Sequence, residues 1–370
     1  MNRRTFLQLA GAPALLATTD VPAYRAVSRF PPAPKPGMPG RYRGRVTRVH
    51  SEAVIDTAAE QVDSRIVSQM LSAGMRALTS EKNDRDAWAS FFSPDDIIGI
   101  KVNCSGAPGI LSTPEVAGGI VGNLINAGVK PGQIYIYERF LDQLNSAHYD
   151  RFVPGGVHIL AVETPRGSIL GYDPSTYVEV DFFGEDDTRS NLVRLVSERF
   201  TKIINIPNMK DHGAAGVTGC LKNIAYGNFS NVARSHMREK THTLSFIGTL
   251  ASVEPLRSKT VLHIMDGLRG VWQGGPFLRN KRFRFFPKLM MFGTDPVAMD
   301  RLLLDIIEEK RKAEGALSVW DRSMANIKQH ADRDNLRNQF IREPGHIEFA
   351  GKLGLGEGEK NRIRLTSIEL

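Results

Sequence analysis

A chain of 370 residues with 41% hydrophobic and 24% charged side chains holds enough apolar material for a sizeable core, which excludes a disordered or fibrous protein. Its net charge of +8 comes from dispersed lysines and arginines with one denser patch at residues 279–285. No nucleic-acid reading motif accompanies that patch, so a small anionic ligand is the expected partner and nucleic acid is not. Only two cysteines occur, Cys104 and Cys220, too few for a four-cysteine zinc site or a standard four-cysteine iron–sulfur cluster held by one chain; buried free thiols and a disulfide both stay open.

In chain order, Asn2-Arg3-Arg4-Thr5-Phe6-Leu7-Gln8 reads as a twin-arginine export signal. A weakly apolar stretch and the small-residue site Val21-Pro22-Ala23 follow. This predicts a signal peptide over residues 1–23, the twin-arginine translocase as a partner during export, and a periplasmic or otherwise exported protein. The apolar run is too short and too rich in alanine and glycine to give a stable membrane span. Residues 24–40 are predicted to be a Pro-rich linker, poorly ordered or draped over the surface, and residues 41–370 an α/β domain.

Within that domain, strand patterns fall at residues 41–50, 96–103, 134–137, 157–162, 177–182, 203–206, 261–265, 289–292 and 362–368. Helical spacing falls at residues 62–78, 113–126, 191–200, 240–252, 297–310, 316–343 and 347–351. Alternation of this kind predicts an α/β fold with a mostly parallel central sheet flanked by helices, in one unit or as two α/β lobes. Pro114 after Thr113 marks a helix start, and Gly128 a helix stop.

The stretch with most chemistry is residues 200–227. The apolar run Ile203-Ile204-Asn205-Ile206 reads as a buried strand that Pro207 terminates. Lys210, Asp211 and His212 then fall in a predicted loop of small residues, with Lys222 and Asn223 further on. Ligands in open α/β sheets bind beyond the carboxyl ends of strands. Four strands end in polar groups: Lys101 with Asn103, Lys210 with His212, Asp266, and Asp295. If these ends share one edge, Lys101, Lys210 and Lys222 favour a carboxylate or phosphate, and clustered lysines depress one another's pKa, which prepares one as a base or Schiff-base former. Asn103 and Asn223 would orient the ligand. His212 is a candidate general base or metal ligand, or a structural hydrogen-bonding histidine. Asp266-Gly267 reads either as a site carboxylate or as turn chemistry. Asp295-Pro296 reads also as a helix cap. The metal candidates are His212, His236 and Asp266, in a spacing that fits no standard motif, so a divalent metal stays open as cofactor.

These segments together resemble the family called domain of unknown function 362. The resemblance runs through Trp88 to Phe92, Gly99 to Asn103, Thr113 to Val116 with Ala127-Gly128, Ile206 to His212, Thr218 to Asn223, Gly227 and His236. It continues through Asp266-Gly267, Gly275-Pro276, Thr294 to Asp300, and Gly351, Gly354 and Gly356. It implies that Lys101, Lys210, His212, Lys222, Asn223 and Asp266 form one site, and it names no reaction. Some members carry a ferredoxin-like segment and an iron–sulfur label; this chain lacks the cysteine run. The expectation is therefore an exported enzyme, a lyase, isomerase or hydrolase with or without a metal, in which Lys210, His212, Lys222 and Asp266 act on an anion bound by Lys101, Asn103 and Asn223. The alternatives are a non-catalytic ligand-binding protein and a metal or iron–sulfur-type redox protein.

Overall fold

An eleven-stranded sheet organises the chain. The computed structural model describes residues 21–236, 241–321 and 342–370. From edge to edge the main strands run Arg364–Glu369, Arg45–His50, Leu289–Gly293, Thr260–Val271, Lys202–Asn205, Ile98–Lys101, Ile134–Phe140 and His158–Glu163. The last five lie parallel to one another, as does the first pair, while Leu289–Gly293 runs antiparallel to both neighbours. The parallel strands thus share one sheet rather than two lobes. A separate three-stranded sheet joins Arg25–Val27, Tyr172–Glu179 and Arg189–Val193.

The central strands are continuous apolar runs because helices cover both faces of the sheet. Alternate side chains enter opposite cores: Ile203 joins the face that holds the helices Cys220–Tyr226, Thr243–Ala251 and Pro296–Ala313. Ile98, Ile100 and Ile204 join the face that holds Ser64–Thr79 and Pro114–Asn126. The Ser64–Thr79 helix starts where the Asp63 carboxylate accepts from the Arg65 and Ile66 amides.

Three departures from the sequence reading follow from pairing partners. Residues 191–200 do not form a helix; Arg189–Val193 is a strand paired with Tyr172–Glu179, and Leu195–Arg199 is a short π-helical turn. Its apolar spacing fits either period, and cross-strand burial of Leu192 and Val193 decides for the strand. Lys210, Asp211 and His212 lie on a strand, Asn208–His212, not in a loop. Pro207 interrupts the ladder, but after a register shift at Asn208/Met209 the chain pairs along the Thr260–Val271 strand and turns back antiparallel as Gly216–Thr218. Finally, the antiparallel Leu289–Gly293 strand sets Gly293 opposite His263, so Asp295 leaves at the edge opposite Lys101. Asp295 caps the Pro296–Ala313 helix at Ala298, with 2.9 Å between carboxylate and amide, and also accepts from Gly44 and Glu357.

The Pro-rich stretch is fastened rather than loosely draped. Arg25–Val27 pairs antiparallel with Tyr172–Glu179, the Gly37 and Met38 amides donate to Ser258 and Arg257, and Met38 is buried. The twin-arginine motif lies outside the described residues, as does most of the expected helical stretch at 316–343. Among the described residues no helix is long and apolar enough to cross a membrane.

Candidate functional site

The carboxyl ends of three neighbouring parallel strands deliver polar groups to one place. Ile98–Lys101 brings Lys101 and, just beyond it, Asn103; Lys202–Asn205 brings Asn205; Ile134–Phe140 brings Glu138. The Asn208–His212 strand adds Lys210 and His212, and the Cys220–Tyr226 helix adds Lys222 and Asn223. Four of these side chains, Lys210, Asn103, Asn223 and Asn205, are joined in a chain of hydrogen bonds. The Lys210 ammonium donates to the Asn103 side-chain oxygen and to the Ser105 carbonyl, both at 2.7 Å. The Asn103 amide donates to the Asn223 oxygen at 3.0 Å, and the Asn223 amide to the Asn205 oxygen at 2.7 Å. Asn205 donates to the Cys220 carbonyl and meets His263 Nδ1, each at 2.9 Å.

The three lysines of the sequence reading are buried, but they do not share one role. Lys101 forms an ion pair with Glu138 at 2.9 Å and donates to the Val102 carbonyl at 2.5 Å. Glu138 also accepts from the Cys104 and Arg139 amides, so both of its oxygens are engaged. Lys101 is therefore neutralised within the protein, and its stem packs on Gly227, where an added Cβ would come within 2.2 Å of Lys101 Cε. This close approach is what requires Gly227. Glu138 is the partner that the sequence reading missed; its only signal was a carboxylate at the end of the strand next to that of Lys101.

Lys210 and Lys222 differ. The hydrogen-bond acceptors of Lys210 are both neutral. Burial pushes its ammonium down to about 7, with Lys101 adding repulsion and Glu138 opposing the shift. Lys222, 8% exposed, has no hydrogen-bond acceptor among the described residues and lies over the Tyr226 ring at 4.6 Å. Burial, Lys210 and Arg139 push it down to about 7 as well. Its helix is held by Asp300, whose carboxylate accepts from the Cys220 and Leu221 amides at 2.5 and 2.9 Å.

His212 Nδ1 accepts from the Ala214 and Ala215 amides at 3.1 and 3.2 Å. A ring nitrogen that accepts carries no proton, so the proton of the neutral ring sits on Nε2. Burial and the nearby Lys222 hold the ring neutral, far below the usual histidine range. His212 is thus arranged as a hydrogen-bond donor; neither nitrogen offers the free lone pair that a general base or metal ligand needs. His236 lies with its ring centroid 5.0 Å from that of His212, and burial pushes it down to about 3.

Asp266 makes no hydrogen bond to a lysine among the described residues. One carboxylate oxygen accepts from the Thr113 amide at 2.6 Å and the other from the Leu268 amide at 3.0 Å. It ties the start of the Pro114–Asn126 helix to the sheet. No group of three or more His, Cys, Asp or Glu is placed to hold a metal among the described residues, so His212, His236 and Asp266 do not form the metal cluster weighed from sequence. Cys104 and Cys220 are both free and buried: Cys104 contacts the Tyr149 hydroxyl at 3.6 Å and Cys220 the Met299 sulfur at 3.9 Å. Sequence reasoning also missed a buried acid–base cluster behind the Lys210 strand, in which Asp211 pairs with Arg342 at 3.2 Å and faces Arg311 at 3.9 Å. Each arginine lies 100 or more positions from Asp211, so no local pattern could join them.

The model of the family described as Domain of unknown function (DUF362) matches residues 98–305, the span that contains Lys101, Lys210, His212, Lys222 and Asp266. No curated protein matches. A crystal structure of a Thermotoga maritima protein from a structural genomics consortium is similar at 11% identity with a TM-score of 0.36, covering 69% of this chain and 59% of that one.

Proposed function

The chain belongs to the family described as Domain of unknown function (DUF362), and from that membership, which names no reaction, we propose that it is an enzyme acting on a small carboxylate or phosphate held by Lys210 and Lys222. The observation that carries the reading is the pair of buried ammonium side chains without carboxylate hydrogen-bond partners among the described residues. A buried charge is costly unless paired, and an anion bound between these two supplies the pairing. Asn103 and Asn223 fix the position of Lys210 and the floor of the site, and His212 offers Nε2–H to an anionic oxygen. Lys101, already matched by Glu138, supports the floor rather than the ligand. Asp266 contributes by anchoring the helix that follows Thr113.

Calorimetric titration with oxalate and with inorganic phosphate at pH 6, where both lysines are largely protonated, tests the reading. Binding to the native protein that falls at least about tenfold in Lys210→Met supports it, as expected for a charge-assisted bond lost in a buried site. Absence of binding by either anion rejects it.

Export is part of the proposal and rests on Asn2 to Gln8. A reporter carrying residues 1–23 should reach the periplasm only when Arg3 and Arg4 are both intact; export of the Arg3→Lys, Arg4→Lys form through the general secretory route would contradict it.

A further inference from the structure

The three buried lysines divide by their partners, and the division bears on chemistry. Lys101 is locked to a carboxylate, and Lys210 is locked by two short hydrogen bonds. Lys222 alone of the three has an ammonium group with no acceptor among the described residues and only an aromatic face beneath it. An amine that nothing else engages has its lone pair available once deprotonated, and burial and a neighbouring cation ease the loss of its proton. Among the described residues the groups that face it are cationic or neutral: Lys210 and Arg139 act on it directly, and His212, His236 and His346 each lie within its electrostatic reach. Arg139 is itself paired with Glu163 at 2.7 Å.

We propose that Lys222 is a nucleophilic amine that forms an imine with the aldehyde or ketone carbon of a small oxo acid, while Lys210 and the His212 Nε2–H hold the carboxylate or phosphate of the same molecule. This rests on the anion-binding reading above and names the substrate class for it. The step balances without a further reagent. The Lys222 nitrogen lone pair attacks the carbonyl carbon, and the carbonyl π pair moves to oxygen. That oxygen then leaves as water, carrying the two protons that the amine nitrogen gives up, and the C=N bond replaces C=O. Lys210 cannot take this part in the same geometry, because its nitrogen is turned to Asn103 and Ser105.

The test treats the full chain at pH 7 with glyoxylate and sodium cyanoborohydride and maps the modified lysines by peptide mass spectrometry. Lys222 is expected to be labelled more than about tenfold faster than the exposed Lys82 and Lys130, because burial and neighbouring cations push its own ammonium down to about 7. Oxalate, which has no aldehyde or ketone carbon, should suppress that labelling, and Lys222→Arg should abolish it. Labelling of Lys222 no faster than Lys82 and Lys130, or labelling indifferent to oxalate, overturns the inference. Oxalate binding in the calorimeter, followed without labelling, separates the two ideas: binding without selective labelling removes the imine and leaves the anion site standing, whereas no binding removes both. The native-chain map decides the matter even if Lys222→Arg fails to fold.

Discussion

The Lys210 ammonium donates to the side-chain oxygen of Asn103 at 2.7 Å, across a sequence separation of 107 residues. The acceptor is an amide, so the lysine is positioned without being neutralised. Asn103→Asp would turn the acceptor into a carboxylate and complete an internal ion pair like Lys101–Glu138. We expect oxalate affinity to fall at least about tenfold, with the protein as stable as before or more so, since a buried charge gains its counter-ion. Unchanged affinity in a folded Asn103→Asp protein would show that Lys210 does not face the ligand.

Lys222 should cost the ligand-free protein stability. Both Lys210 and Lys222 fall from 10.5 to about 7 on folding, chiefly through burial. In that interval the unfolded chain binds more protons than the native one, so stability rises with pH from about 7 toward 10.5 and is at its lowest, on their account, below 7. Lys222→Met keeps the aliphatic stem and removes the charge; it should stabilise the apo protein by roughly 1–3 kcal/mol at pH 6.5 and flatten the rise between pH 7 and 9. Urea unfolding measures both effects. A less stable Lys222→Met protein with an unaltered pH slope would mean that the ammonium is satisfied.

Asp266 separates scaffold from chemistry. Its two oxygens accept from the Thr113 and Leu268 amides. Asp266→Ala leaves both amides buried without acceptors and should cost about 2–4 kcal/mol, with Asp266→Asn costing less because one oxygen acceptor remains. Oxalate affinity of the folded Asp266→Asn protein should stay within about twofold, as its contacts lie at the helix start rather than at the lysines. A stable Asp266→Asn protein that loses oxalate binding would return Asp266 to the site.

The two thiols provide an independent check on the core. Burial pushes Cys104 up to about 12 and Cys220 well above its ordinary range, so neither is a thiolate at neutral pH. A thiol-specific disulfide reagent should find no reactive cysteine in the native protein and two in denaturant without reductant. Two cysteines released only after reduction would establish a disulfide instead.

Much of the fold was legible because the signals were local. The apolar run at 203–206, Pro114 after Thr113, and the long amphipathic stretch ending the Leu289–Gly293 connection all describe one segment at a time. The mostly parallel α/β sheet follows from their alternation. What was not legible depends on partners. Nothing within residues 289–293 says whether the strand runs parallel or antiparallel, and that one choice sends Asp295 to the far edge. Asn208–His212 read as a loop because its polar side chains and the preceding proline hide a strand that is stabilised by pairing with Thr260–Val271. The candidate site was legible as a set of residue types, Lys210, Lys222, Asn103 and Asn223 among them, but the division of labour among three lysines was not. It turns on Glu138, which among the described residues engages Lys101 and no other lysine by hydrogen bond.

The central claim is that Lys210 and Lys222 form an electropositive pair awaiting an anion, and proton uptake on binding tests it most directly. Oxalate titrations at pH 7.5 in buffers of different ionisation enthalpy should show uptake of roughly one and a half protons per anion, because a bound carboxylate raises both lysine pKa values from near 7. The uptake should shrink in Lys222→Met and disappear at pH 5.5. Binding with no proton uptake at pH 7.5, or the same uptake after Lys222→Met, would contradict the account.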